Sequence, residues 1–405
     1  MPEAIPRALY LFGSDIVDEG LDRVLNAAAD LQASTLAIAF SYHQARDLMP
    51  HGGAKPRLRY RRDGIFFTPS EKVWRGSRVR PQLQPPAEMA AVEQLMTAQH
   101  AFTVEAWTVF LHNTSLGEAL PELTTVTCFG DHLLSNLCPS NTDVSDYAAA
   151  LANDVSARGV DVIAEALSGQ TFAHGHHHER SFTPIGDGDE ALLALCFCEH
   201  CVVAAQDANI DAESLSSRVR TRVQRVFSGA APLPADIDPM SEAVGPDLAA
   251  YLRIREESVT AVSKRVGDAV RENGQRLSFM DLTGAVLGYG DGNPVGPNAA
   301  DQAWRISINP ATIAPQADSY SILGYVRDAE RLAQDIASYK AAIGDTPLRV
   351  ILRPGYPDTN SATHLQEKVA AAVHAGADQI DFYNYGMYDS AVLARISAET
   401  PPKNL

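Results

Sequence analysis

The chain has no apolar run near the ~18 residues that a membrane-spanning helix needs. Its opening residues, Met-Pro-Glu-Ala-Ile-Pro-Arg, contain no apolar segment of the secretory kind, so a cytoplasmic protein with reduced thiols is expected. It also lacks an excess of basic charge. Thirty-three Lys and Arg stand against 50 Asp and Glu, giving a net charge of −17. That balance opposes binding to nucleic acid or to an anionic membrane surface. No glycine-rich dinucleotide fingerprint follows the first apolar run, where Leu-Phe-Gly-Ser-Asp stands instead. The glycines at 284, 288, 290 and 292 come without the lysine and serine of a phosphate loop and read as a lid or turn. Internal repeats and low-complexity tracts are absent. Cysteine is scarce, at five in 405 residues, but four of the five bear on one question.

What is present is an alternation of short apolar runs and helical patterns. Eight strands are predicted: Leu9–Phe12, Thr35–Ser41, Val104–His112, Val160–Ala166, Arg276–Leu282, Ser319–Tyr325, Leu348–Arg353 and Gln379–Tyr385. Most show no strict polar alternation, as suits parallel strands covered on both faces. Helices are predicted over Asp18–Leu31, Glu88–His100, Asp143–Arg158, Asp247–Asn273, Val326–Ile343 and Ser361–Ala375. Gly159, Gly274, Gly344 and Gly376 stand just past four of them, where a helix stops. Eight such units in series predict an α/β fold, a (β/α)8 TIM barrel, as one domain over residues 1–405. Its longest loops follow strand 2 and strand 4: a basic hairpin insertion at 44–87 and a histidine- and cysteine-containing insertion at 167–246.

The first insertion carries Arg57, Arg59, Arg61 and Arg62 in an alternating run that reaches Asp63-Gly64, a hairpin-turn signal of type I′. Its charge leaves two readings open. One is a solvated hairpin face. The other is an arm that docks an acidic neighbouring subunit, as in a homodimer, or an anionic substrate group.

Barrel chemistry sits where strands end. Those ends present His43, His112, Asn113, Glu165, Asp281, Arg353, Tyr383, Asn384 and Tyr385. Such a mixture suits a polyhydroxylated, carbohydrate-like small molecule, whose hydroxyls need donors and acceptors and whose ring stacks on aromatics. Glu165 closes an apolar strand, where desolvation raises a carboxyl pKa, and is the candidate general acid/base. Asp281 is the candidate second carboxylate. A gap of about 5 Å between the two suggests retention and about 6.5–9.5 Å inversion. Beyond Glu165 comes His174-Gly-His-His-His-Glu. There His174 and His177 are candidates for substrate binding and His176 for acid/base work, with a metal site or a polar structural loop as alternatives. Arg353 can hold an anionic group or pair with a nearby carboxylate.

Cys196, Cys198 and Cys201 form a C-x-C-x-x-C run, and Cys138 stands upstream in Cys-Pro-Ser-Asn. Four thiolates with no open position describe a structural zinc site. Cys128 reads as a small core residue. The order of cysteine, strand-four glutamate and cysteine triplet resembles the zinc cluster of glycoside hydrolase family 42 β-galactosidases over residues 130–205. That resemblance implies Cys138, Cys196, Cys198 and Cys201 as zinc ligands and places Glu165 where the proton donor stands. Two departures accompany it. Ala164 precedes Glu165 where the family has asparagine. Strand seven ends in Arg353-Pro-Gly-Tyr without the family's glutamate nucleophile, Asp358 being the only acid close by. The expected function is a glycoside-hydrolase-like enzyme. The alternatives are a lyase, isomerase or epimerase on a polyhydroxylated substrate, or a sugar-binding pseudoenzyme.

Overall fold

A computed structural model describes residues 5–51, 57–172, 182–288 and 290–398. Eight parallel strands close into a barrel: β1 (Arg7–Leu11), β2 (Thr35–Tyr42), β3 (Thr103–Val109), β4 (Asp161–Glu165), β5 (Leu277–Asp281), β6 (Ser319–Leu323), β7 (Leu348–Leu352) and β8 (Gln379–Phe382). Each pairs with its neighbours in order, and β1 pairs with both β2 and β8, which completes the ring. This is the (β/α)8 barrel, and each of the eight predicted strands overlaps one of its staves. β2 is buried at every residue, the signature of a strand covered on both faces.

The helices start and stop by local chemistry. Asn141, Asp328 and Ser361 cap Thr142–Ser156, Ala329–Ile343 and Ala362–His374 by accepting backbone N–H groups. Gly159, Gly274, Gly344 and Gly376 take positive φ after their helices. One expectation is corrected here. The pattern over Asp18–Leu31 is broken at Gly20 (φ +84°), giving Gly13–Glu19 and Leu21–Asp30 as separate helices.

The hairpin also differs from expectation. Arg57–Arg61 pairs antiparallel with Ala45–Met49, while Gly64–Ile65 pairs with β2. Asp63-Gly64 is thus a junction and not the hairpin turn. The Asp63 carboxylate is occupied by the Gln44 N–H (3.1 Å) and by the Ser115 N–H (2.9 Å) and hydroxyl (2.8 Å), which fixes that corner. The arm's arginines find carboxylates on their own chain. Arg57 and Arg59 pair with Asp18, Arg61 with Asp47 and Glu88, and Arg78 with Glu122 and Asp143.

Between β4 and the long helix Asp247–Glu272 lie helices Asp187–Leu193, Glu199–Asp207, Ala212–Phe227 and Ile237–Val244. They build a second apolar cluster around Leu192, Leu215, Val219, Met240, Val244 and Tyr251, and Cys128 belongs to it. Inside the barrel, low on the staves, Arg349 grips Glu105 with two bonds (2.9 and 2.6 Å) and Asp381 with a third (3.1 Å). All three are buried, and a charge group of this kind survives in a core only when fully paired. Among the described residues no helix is long and apolar enough to cross a membrane.

Candidate active site

Glu165 is the last residue of β4 and is partly exposed. On a parallel strand alternate residues share a face. Glu165 therefore faces the same way as Ile163, which is level with Trp107 on β3 inside the barrel. The Trp107 indole N–H donates to the Glu165 carboxylate. Burial among the aromatic rings pushes the Glu165 carboxyl up to about 7, against the Trp107 bond, which favours the ionised form. The next residue, Ala166, has φ +53°, a left-handed conformation that costs a residue with a Cβ roughly 1–2 kcal/mol. Backbone strain of this kind gathers at functional sites.

The rings around Glu165 form a box. Trp107 meets Tyr10 (5.2 Å), Phe12 (5.1 Å), Tyr42 (4.9 Å) and Tyr383 (5.6 Å between centroids). An irregularity between Ala39 and Ser41 on β2 shifts the register by one residue and turns Tyr42 inward. The Tyr42 and Tyr383 hydroxyls lie 3.2 Å apart. His43 stacks on Tyr42 (4.3 Å) and on His112 (4.2 Å), extending the aromatic wall. The structure thus gathers Glu165, His43, His112 and Tyr383 from the predicted set. The sequence reading missed Trp107, Phe12 and Tyr10. Large aromatics within the first and third predicted strands were the available signal.

Other predicted residues are engaged elsewhere. Asp281 is wholly buried and accepts four bonds: from the Thr283 N–H (2.8 Å) and hydroxyl (2.5 Å), Tyr320 (2.7 Å) and Tyr339 (3.1 Å). Tyr339 belongs to the helix Ala329–Ile343, so this side chain lies in the layer between strand and helix. The structure does not bring it to Glu165. Asn113 caps the helix Thr114–Ala119, accepting from the Leu116 N–H at 2.9 Å. Arg353 donates to Asp358 (2.6 Å) and lies 4.0 Å over the Tyr325 ring, and Asp358 also binds Lys368 (2.9 Å). The Tyr385 hydroxyl donates to Glu19 (3.1 Å). Asn384 accepts from the Gly386 N–H (3.1 Å), and among the described residues its buried amide nitrogen has no partner. His174, His176 and His177 lie outside the described residues.

Cys138, Cys196, Cys198 and Cys201 are buried, and their sulfurs all lie within 4.8 Å of one another. Cys138 follows the strand His132–Leu137, Cys198 precedes the helix Glu199–Asp207, and Cys201 sits in its first turn. The Phe197 N–H donates to the Val126 carbonyl (2.7 Å), pinning the triplet beside the strand Thr124–Val126. Cys138 lies 3.6 Å from both Cys198 and Cys201. A tetrahedral centre with metal–sulfur bonds of ~2.3 Å has edges of ~3.8 Å, so the four sulfurs suit such an ion. They can hold a metal. The Arg255 guanidinium, 3.6 Å from the Cys201 sulfur, supplies positive charge beside them.

No family model matches the sequence, and no curated protein matches it. Solved structures do share its fold. A β-galactosidase from the psychrophilic Marinomonas ef1 aligns over 97% of this chain and 58% of its own, with a TM-score of 0.52 at 9% identity. The catalytic domain of a β-amylase from Paenibacillus polymyxa aligns over 94% of this chain and 92% of its own, with a TM-score of 0.50 at 10% identity. The chain therefore spans little more than half the length of that β-galactosidase. At such identities the likeness establishes the barrel, and the neighbours that carry it are glycoside hydrolases.

Proposed function

We propose that this chain is a glycosidase of the barrel type, with Glu165 as its general acid/base. The observation that carries the reading is a partly exposed glutamate at a strand end, ringed by aromatics, whose carboxyl is pushed by burial up to about 7. Near neutral pH such a group is protonated often enough to donate to a departing glycosidic oxygen, and it is basic enough afterwards to take a proton back. The partly exposed Tyr383 ring offers stacking for a sugar ring. The Tyr42 and Tyr383 hydroxyls offer hydrogen bonds to sugar hydroxyls. His43 and His112 extend that wall toward a second sugar unit. The solved neighbours, a β-galactosidase and a β-amylase, support the same direction.

The four cysteines would hold a zinc ion, as the family 42 resemblance implies. With four thiolates it has no open position and serves the fold alone. It would tie the segment before the helix Thr142–Ser156 to the helical insertion after β4. Metal analysis checks this: about one zinc per chain is expected, and Cys198→Ser should lose it and lower Tm. A panel of aryl glycosides tests the enzyme. Hydrolysis of at least one, abolished by Glu165→Gln, is the expected result, and turnover unchanged by that substitution would remove the assignment.

A second reading is proton abstraction by Glu165 in an isomerase or epimerase. The placement of Asp281 in the strand–helix layer favours it, because that chemistry needs no second carboxylate. Exchange of substrate C–H hydrogen with deuterated water would distinguish the two.

A further inference from the structure

The large hydrophobic side chains that stand furthest into solvent share one end of the barrel. Among the described residues, Leu48, Leu58, Tyr60, Phe182, Val295 and Tyr356 are exposed by 62% or more. They lie on segments that follow β2, β4, β5 and β7. In a barrel those segments leave the C-terminal end, where Glu165 also sits. Exposed apolar side chains gathered on one face mark binding. Two of the six are tyrosines with arginines beside them. Tyr60 is 74% exposed, and Arg46 stands directly across the hairpin from it. Arg62 follows two residues on, and both arginines are exposed. The remaining hairpin arginines, Arg57, Arg59 and Arg61, meet carboxylates of their own chain. Among the described residues Arg46 and Arg62 form no ion pair. Tyr356 is 80% exposed, on the loop after β7. The exposed Arg327 reaches that loop, donating to the Pro357 carbonyl at 2.6 Å. Among the described residues it too forms no ion pair, although the exposed Asp291 feels its charge.

β7 stands three staves from β2 around the ring, by way of β1 and β8. The two tyrosines therefore belong to well-separated banks of the same face. We propose that this face binds a polyuronate, an acidic glycan chain long enough to meet both banks. The Tyr60 and Tyr356 rings stack on the C–H faces of its sugars, and Arg46, Arg62 and Arg327 pair with its carboxylates. This rests on the glycosidase reading and names its substrate class as an acidic polymer.

Charge favours this occupant. The chain carries −17 overall and repels a polyanion from most of its surface. Unpaired cations beside exposed rings give such a chain a place to settle. A neutral glycan would leave those arginines without a counter-charge. A second copy of this protein fits worse, because pairing like faces about a two-fold axis sets the arginines against their own copies.

The test is native electrophoresis through gels holding polygalacturonate, alginate, neutral galactan or dextran sulfate. Release of reducing ends from each polymer and hydrolysis of aryl glycosides are followed alongside. Wild type should be retarded by at least one polyuronate and not by galactan. Tyr60→Ala, Tyr356→Ala and the pair Arg46→Ala with Arg62→Ala should each weaken that retardation about fivefold or more. Arg78, on the same segment as Tyr60, is already paired with Glu122 and Asp143, so Arg78→Ala should stay within about twofold. No retardation by either polyuronate, with an aryl glycoside still hydrolysed, would overturn this inference and leave the glycosidase reading standing. Retardation with neither reducing ends released nor an aryl glycoside hydrolysed would support the binding face and remove the glycosidase reading. Retardation by dextran sulfate as strong as by polyuronate, and indifferent to both tyrosine changes, would reduce the face to general charge attraction and overturn it. A dimer in sedimentation that Tyr60→Ala dissociates would make the face a contact between copies and overturn it as well.

Discussion

Glu165 and Asp281 end adjacent parallel strands, and burial raises the pKa of both. Their surroundings separate them. Asp281 turns toward the helix layer and receives four hydrogen bonds, which fill its acceptor sites. Glu165 turns into the barrel and, among the described residues, receives one, from Trp107. A fully satisfied carboxylate is a structural tie, whereas one with a single donor and a raised pKa keeps proton-transfer capacity in reserve. The lesson is that a strand end is not a sufficient address for chemistry. Which face the last side chain takes, and how many donors meet it there, decides its use.

The comparison can be broken most severely at Glu165. Glu165→Gln should cut turnover on any responsive aryl glycoside by ~10²–10⁴, the usual worth of a general acid, with no loss of Tm. Asp281→Asn should do the reverse. Replacing one acceptor oxygen by an amide leaves the Tyr and Thr donors poorly matched, at a cost of about 1–3 kcal/mol in denaturant unfolding. The rate constant below the unfolding range should hold. A loss of turnover with unchanged stability would show that the two carboxylates have been assigned the wrong way round.

The pH dependence of stability sharpens the contrast. Glu165 titrates near 7 in the fold against an ordinary value of 4.5, so the folded state binds its proton more tightly than the unfolded chain. The contribution of that proton to stability is full below about pH 4.5 and is lost as pH rises through 7. Glu165→Gln cannot ionise, so it should match wild type at pH 4 and exceed it by about 1–3 kcal/mol at pH 8. Equal stabilities at pH 8 would argue against a desolvated carboxyl. The smallest effect is expected from Trp107→Phe. It removes the donor that favours ionised Glu165, so the alkaline limb of the pH–rate profile should move up by less than about one unit.

Much of the fold was legible because a barrel repeats one simple unit. Apolar runs marked eight staves, and positive-φ glycines marked helix ends such as Gly159 and Gly344. The break at Gly20 escaped notice because apolar spacing continues through it. The orientation of Asp281 could not be read from its strand. All five residues of β5 are buried, so no polar alternation reveals which face looks inward. Asn113 and Arg353 lie beyond β3 and β7, where local partners hold them: a helix N-terminus for one, Asp358 for the other. The aromatic box was out of reach for another reason. Tyr10, Trp107 and Tyr383 come from strands far apart in sequence, and only closure of the ring brings them together. The four cysteines were the opposite case, since three lie in one short run and their types alone suggest the geometry.

The central claim is that Glu165 keeps its proton to neutral pH. The most direct measurement is a carbon-13 NMR titration of glutamate-labelled protein, with Glu165→Gln identifying the resonance. The account predicts a midpoint at about 7 for that carboxyl. A midpoint at the ordinary 4.5 would contradict it, and would take the general acid out of the proposed site.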